Sequence, residues 1–182
     1  MRFSETALPG AFAIELDTIA DERGWFARTF DAEEFRARGL QDAVAQCNAS
    51  FNARRGTLRG LHWQADPYRE SKLVRCVRGA IFDVAVDIRP DSPAFCCWEA
   101  LELSAENRLA FYIPAGMAHG FQTLTDDCEV LYQMGNRYVP EAARGARWDD
   151  AAFAIRWPAA PGGRIISDKD RGYPDFDRSA RP

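Results

Sequence analysis

The 182-residue sequence contains only two histidines, His62 and His119, and this scarcity restricts its chemistry to very few imidazoles. Its five cysteines (Cys47, Cys76, Cys96, Cys97, Cys128) are odd in number and form no Cys-x-x-Cys pair. That pattern fits neither a zinc ribbon nor a disulfide framework and reads as small, packed thiols. Long apolar runs are missing: Ala80 to Val86 is strand-sized and broken by Asp83, far short of the roughly 20 residues a membrane span requires. The first residues, Met1-Arg2-Phe3-Ser4-Glu5-Thr6, reach an acid at once with no apolar stretch behind them, so no secretory signal is expected and the cytoplasm is the expected compartment. Low-complexity tracts, long Gly/Ser linkers and internal repeats are also lacking, which leaves one expected domain spanning 1–182.

A basic excess is absent as well. With 23 Lys and Arg against 27 Asp and Glu the net charge is −4, which argues against a general nucleic-acid binder. The distribution is uneven, however. From Arg54 to Arg78 there are seven basic residues (Arg54, Arg55, Arg59, Arg69, Lys72, Arg75, Arg78) and two acidic ones, Asp66 and Glu70, so a small anionic ligand is the natural partner.

Helical signals are few. Asp31 to Gly39 offers an N-cap, a Glu at the capping-box position and a terminating Gly, and Asp149-Asp150-Ala-Ala-Phe-Ala offers a second capped turn that Pro158 cuts short. What remains are short β-type runs: Ala11 to Leu16, Trp25 to Phe30, Leu58 to Gln64, Lys72 to Val77, Ala80 to Ile88, Trp98 to Leu103, Leu109 to Ile113, Gly120 to Leu124 and Glu129 to Met134. Runs of this length without intervening helices predict an all-β antiparallel jelly roll, a sandwich or barrel of cupin type with one or two short peripheral helices.

Both histidines fall in glycine-bounded strand segments, Leu58-Arg-Gly-Leu-His-Trp-Gln64 and Ile113-Pro-Ala-Gly-Met-Ala-His-Gly-Phe121. Strict alternation places Leu58, Gly60 and His62 on one face of their strand and Arg59 and Leu61 on the other. A bulge or twist at Gly60 brings Arg59 and His62 toward one cavity. Pro114-Ala-Gly-Met-Ala-His119 resembles the second half of the cupin signature, Pro-x-Gly-x-x-His. The first half lacks its His-x-His pair, so a metal site is not expected, although two histidines and a carboxylate can in principle form a facial triad. Without a metal the chemistry falls to His62, His119, Lys72, Tyr132 and the acids near Ser167-Asp-Lys-Asp170. An imidazole oriented by a carboxylate suits proton abstraction from carbon, and a lysine or second histidine suits the oxygen of an enolate.

Taken together these segments resemble the dTDP-4-dehydrorhamnose 3,5-epimerase family. The likeness runs from about Phe3 to Asp170 and includes Asp21-Glu-Arg-Gly-Trp-Phe26, Gln46-Cys-Asn-Ala-Ser50, Lys72-Leu-Val-Arg-Cys76, Phe82 to Arg89, Tyr138-Val-Pro140 and Ser167-Asp-Lys-Asp170, with the two histidine segments. The resemblance implies an enzyme without metal or cofactor, acting on a nucleotide-linked 4-keto-6-deoxy sugar, and a homodimer whose N-terminal strands extend into the partner. It implies His62 as the base, Asp170 as its orienting carboxylate, Lys72 as the enolate stabiliser with His119 close by, and Tyr132 as the acid on the opposite face. Arg23 and Arg59 would hold the diphosphate, and Gln46 and Asn48 would contact the nucleotide. Phe26 and Tyr138 would sandwich the base, and Lys169 falls at a ligand-contact position.

Two positions depart from the family pattern. Arg28 and Ala143 stand where Glu is usual, Glu141 being the carboxylate nearest Ala143 in sequence, so the reaction class is expected to hold while the sugar or base differs. The alternatives are inversion at one centre only, a CDP- or GDP-linked sugar, a metal-dependent cupin, and a non-catalytic sugar-binding cupin.

Overall fold

The computed structural model describes residues 1–179. Alternating apolar and polar residues, interrupted by Gly, Pro and Asn, produce thirteen short strands and two short α-helices among these residues: β1 (Arg2–Glu5), β2 (Phe12–Glu15), β3 (Ile19–Asp21), β4 (Gly24–Phe26), α1 (Ala32–Ala37), β5 (Gln46–Asn52), β6 (Leu58–Gln64), β7 (Lys72–Arg78), β8 (Ala80–Asp87), β9 (Trp98–Ser104), β10 (Ala110–Ile113), β11 (Met117–Thr123), β12 (Cys128–Met134), β13 (Ala143–Gly145) and α2 (Asp168–Arg171). They form a six-stranded sheet ordered β1-β2-β10-β7-β12-β5, a five-stranded sheet ordered β13-β6-β11-β8-β9, and a separate hairpin β3-β4. Every named strand pair is antiparallel, as the expected jelly-roll sandwich requires.

Between the two sheets lies a core containing Val74, Ile81, Ala85, Phe111, Met117, Phe121 and Val130. A second cluster (Leu61, Val84, Val86, Ile88, Ala118, Phe153) covers the outer face of the five-stranded sheet with the segment after β13. Burial on both faces explains why β8 reads as a nearly unbroken apolar run. Its exceptions are Asp83 and the terminal Asp87, both completely buried.

Helix α1 forms where expected. Asp31 accepts from the amides of Glu33 and Glu34. Gly39, at φ +69°, closes the other end as the Leu40 amide returns to the Phe35 carbonyl. Only half of the capping box is made, because the Glu34 carboxylate is drawn to the N-terminal amine and to Arg38, both at 3.7 Å. Phe35 fixes α1 against Ile14, Leu73 and Tyr112 on the outer face of the six-stranded sheet. The segment 149–154 is a single turn held by Asp150, and the second short helix is α2 instead. The expected strand Trp25 to Phe30 stops at Phe26, because β4 pairs only with β3 and nothing continues the ladder. No helix among the described residues is long and apolar enough to cross a membrane.

Candidate active site

Strands β6 and β11 cross with too little room between them for side chains. Gly60 has φ +121°, and a Cβ there would stand 2.6 Å from the Gly120 Cα, so only glycine fits. The peptide Gly60–Leu61 is cis. Register slips at the same place: His62 is opposite His119, whereas Arg59 is opposite Phe121, so β6 spends one residue more than its partner. This bulge turns both Arg59 and His62 into the space between the sheets, as the spacing around Gly60 suggests.

The single turn α2 delivers the carboxylate for His62. Ser167 caps it by accepting from the Asp170 amide at 3.1 Å. Asp170 Oδ1 then lies 2.7 Å from His62 Nε2, and its Oδ2 accepts from the Gly60 amide at 3.2 Å. Burial pushes the Asp170 carboxyl upward, but the hydrogen bond and charge of His62 and the Gly60 amide outweigh it, leaving the group below the ordinary carboxylate range. Asp170 is therefore an anion able to hold the ring and favour an imidazolium. His62 remains 42% exposed toward the cavity, with its other ring nitrogen making no hydrogen bond among the described residues.

A second pair stands beside the first. His119 Nε2 lies 2.8 Å from Asp83 Oδ1, both side chains buried. Desolvation raises the Asp83 carboxyl, opposed by the adjoining His119 and by Lys72. From the facing sheet come Lys72 on β7 and Tyr132 on β12. Lys72 Nζ lies 2.8 Å from Glu70 Oε1 at side-chain exposures of 6% and 8%, a buried ion pair, and the ammonium has further N–H groups with no other partner among the described residues. Glu70 is itself held by Gln64 Nε2 at 2.7 Å. The Gln64 carbonyl oxygen accepts from the Val139 amide at 2.6 Å, and the Gln46 side chain accepts from the Tyr138 amide, so the two glutamines anchor the strap that carries Tyr138. Desolvation also drives the Tyr132 phenol well above its ordinary range, and the Ser50 hydroxyl lies 3.0 Å from its oxygen.

These groups surround a cavity of about 330 Å³. His62, His119, Lys72, Tyr132, Arg59, Asn48, Tyr138, Ala143 and Lys169 all line it. Asp170 and Gln46 support the lining from behind through the hydrogen bonds above. A wider surface groove of about 690 Å³ beside Arg69 and Arg89 contains neither imidazole. Of the basic run from Arg54 to Arg78, only Arg59 and Lys72 line the cavity, since alternation and turns send the others elsewhere. Glu141 is exposed and is not among the lining residues.

Arg23, Phe26 and Arg28 are not brought to the cavity within this chain. The hairpin β3-β4 projects from the body, with Arg23 paired to Asp21 at 2.5 Å and Phe26 71% exposed. Arg28, which follows the hairpin, is paired to Asp31 at 2.6 Å. Conversely, Ser50, Gln64, Glu70, Arg144 and Tyr173 line the cavity without having been singled out from sequence. Glu70 and Asp83 did carry a signal: one is an acid inside a basic run, the other an acid inside an apolar strand. Among the described residues no group of three or more His, Cys, Asp or Glu gathers as a metal-ion set, and each imidazole has its own carboxylate partner.

Comparison with known proteins adds the family. The dTDP-4-dehydrorhamnose 3,5-epimerase profile matches residues 5–178. The chain belongs to this family. It is a nucleotide-sugar 3,5-epimerase by class, 46% identical over 173 residues to the dTDP-4-dehydrorhamnose 3,5-epimerase of Methanothermobacter thermautotrophicus, covering 94% of this chain and 92% of that one. The structure of the Bacillus anthracis enzyme, determined with TDP and PPi bound, superposes on the epimerase with a TM-score of 0.91 at 37% identity, covering 96% and 99% of the two chains. A 3′-monoepimerase from Streptomyces bikiniensis, in complex with dTDP-quinovose, gives a TM-score of 0.86 at 35% identity over 93% and 85%.

Proposed function

We propose that the epimerase inverts C3 and C5 of a dTDP-linked 4-keto-6-deoxyhexose, as one catalytic domain working in the cytoplasm without a cofactor. The observation that carries this reading is the placement of base and acid: His62 belongs to the five-stranded sheet and Tyr132 to the six-stranded sheet, facing across one cavity. A sugar ring held between them loses a proton on one face and gains one on the other, which inverts the carbon. His62 takes the proton beside the ketone, the electron pair moves onto O4, and Lys72 with His119 stabilises the resulting enolate. Tyr132 then gives its proton to the same carbon, and both groups re-equilibrate with solvent. Arg59 and Lys169 bring positive charge to the diphosphate, with Asn48 and Tyr138 toward the nucleotide. The bound TDP of the Bacillus anthracis relative supports the thymidine assignment.

Incubation with the keto sugar in deuterated water tests the reading: deuterium is expected at C3 and C5 together with inversion at both. Label at one carbon would favour a single-centre reaction, for which the likeness to the Streptomyces bikiniensis 3′-monoepimerase is the supporting observation. Turnover only with CDP- or GDP-linked sugar would reassign the nucleotide and point to Arg28 and Ala143 as the reason. No exchange with any of them would remove the epimerase reading in favour of a metal-dependent or purely sugar-binding cupin.

Exposed apolar side chains support a homodimer. Ile19, Trp25 and Phe26 on the hairpin are exposed, as are Phe51, Val77 and Leu131 on the part of the six-stranded sheet that α1 leaves open. Docking of each hairpin on the other copy would carry Arg23 and Phe26 to the partner's cavity mouth, where the resemblance requires them. Sedimentation velocity is expected to give twice the chain mass for the parent and the chain mass for Phe26→Asp combined with Trp25→Asp; a monomeric parent would refute it.

A further inference from the structure

The inner face of β5 carries Asn48, Ser50 and Asn52 by simple alternation, and register places Asn48 opposite Tyr132 and Ser50 opposite Val130. Two of these, Asn52 and Ser50, link Arg59 to Tyr132 through a chain of hydrogen bonds. Arg59 Nε donates to Asn52 Oδ1 at 2.8 Å, which fixes the amide so that its NH₂ faces the other way. That NH₂ donates to the Cys128 carbonyl at 3.3 Å and to Ser50 Oγ in a longer contact of 3.4 Å. Ser50 Oγ accepts from Asn52 on one side and has its own proton to offer Tyr132 Oη, 3.0 Å away, a contact in which either oxygen can donate. When Ser50 is the donor, the phenolic proton is turned from β5 into the cavity.

We propose that Ser50 and Asn52 are positioning residues for the reprotonation step, aiming the Tyr132 proton at the carbon and holding the tyrosinate left behind. The inference rests on the reading of Tyr132 as the acid. In that step the phenolic O–H bond breaks as the new C–H bond forms, and the negative charge on Oη keeps the Ser50 hydrogen bond. Burial makes that anion costly, and the Ser50 contact, with the charge of Arg59 behind it, works against the burial. Because Arg59 anchors the other end of the chain, the side chain suited to gripping the diphosphate also sets the direction of the acid.

The experiment measures two rates on the same sample in deuterated water, deuterium uptake at carbon and net inversion, and takes their ratio. Ser50→Ala is expected to raise uptake relative to inversion at least fivefold, since protons removed by His62 are returned to the face they left. Ser50→Thr, which keeps a hydroxyl on a strand that tolerates β-branching, is expected to restore the parent ratio. Asn52→Asp keeps Ser50 but can no longer donate to it, and is expected to raise the ratio as well. That variant provides the reading should alanine at 50 impair folding. A purely structural role would lower both rates together, so an unchanged ratio in Ser50→Ala and Asn52→Asp, with Tyr132→Phe raising it, overturns the proposal alone. An unchanged ratio in Tyr132→Phe itself overturns the acid assignment and the proposal with it.

Discussion

Replacing His62 by alanine is expected to lower deuterium uptake at C3 and C5, and turnover with it, by about 10²–10⁴-fold, the range a positioned general base contributes. Thermal stability should fall as well, though by far less than activity: His62 is part-exposed to the cavity and meets Tyr173 only edge-on at 6.0 Å, but its ring is the 2.7 Å partner of the buried Asp170 carboxylate, which would keep only the Gly60 amide. The partner variant Asp170→Asn keeps the shape of the pair and removes its negative charge. Its turnover should also fall by orders of magnitude, because a neutral amide no longer favours the imidazolium formed on proton abstraction. The parent enzyme's pH profile has a definite sign here. Asp170 is held below the ordinary carboxylate value of 3.8, so it is ionised throughout the neutral range. Its stabilising contribution is complete above that ordinary value and is lost only as pH falls through the lower folded one. A His62→Ala protein that kept near-normal exchange would show that another group removes the proton.

Replacing Lys72 by methionine is expected to cost about 10²–10³-fold in turnover, comparable to the loss of one oxyanion donor in other enzymes. It should also destabilise the fold, because Glu70 is left as a buried carboxylate without its cation, an arrangement that costs about 3–5 kcal/mol. The double variant Lys72→Met with Glu70→Gln separates the two effects. Neutralising position 70 is expected to return most of the melting temperature and almost none of the activity. Recovery of activity together with stability would mean that Lys72 serves the fold rather than the enolate.

The fold was legible because each sheet strand near the cavity shows its period directly. Leu58 to Gln64 alternates until the Arg-Gly step, and the glycine there announces the irregularity that brings Arg59 and His62 together. The short strands β1, β3, β5 and β13 were not separately marked. Three are only three or four residues long, and β5 is a mostly exposed edge strand with polar residues inward. The pairing of His62 with Asp170, 108 positions apart, follows from family likeness and not from local pattern, because nothing in Ser167-Asp-Lys-Asp170 shows which strand the turn will meet. Ser50 gave no signal for the same reason, since a linear sequence does not show cross-strand neighbours, and Glu70 and Asp83 stood out only as acids in a basic run and an apolar strand, without showing which groups they would meet. For the hairpin residues Arg23 and Phe26 a ligand contact is expected by likeness alone, since the chain by itself holds them away from the cavity.

The thickness of the sandwich has a stereochemical consequence. Packed sheets stand about 10 Å apart, and here that gap is kept by side chains such as Phe121, whose ring centroid lies 6.4 Å from that of Tyr132 and 6.4 Å from that of His119. On the proposed mechanism the filler between the layers therefore acts as a calliper for the pyranose, setting how squarely its two faces meet donor and acceptor. Trimming that filler would alter the handedness of the product mixture while leaving every reacting group in the sequence untouched.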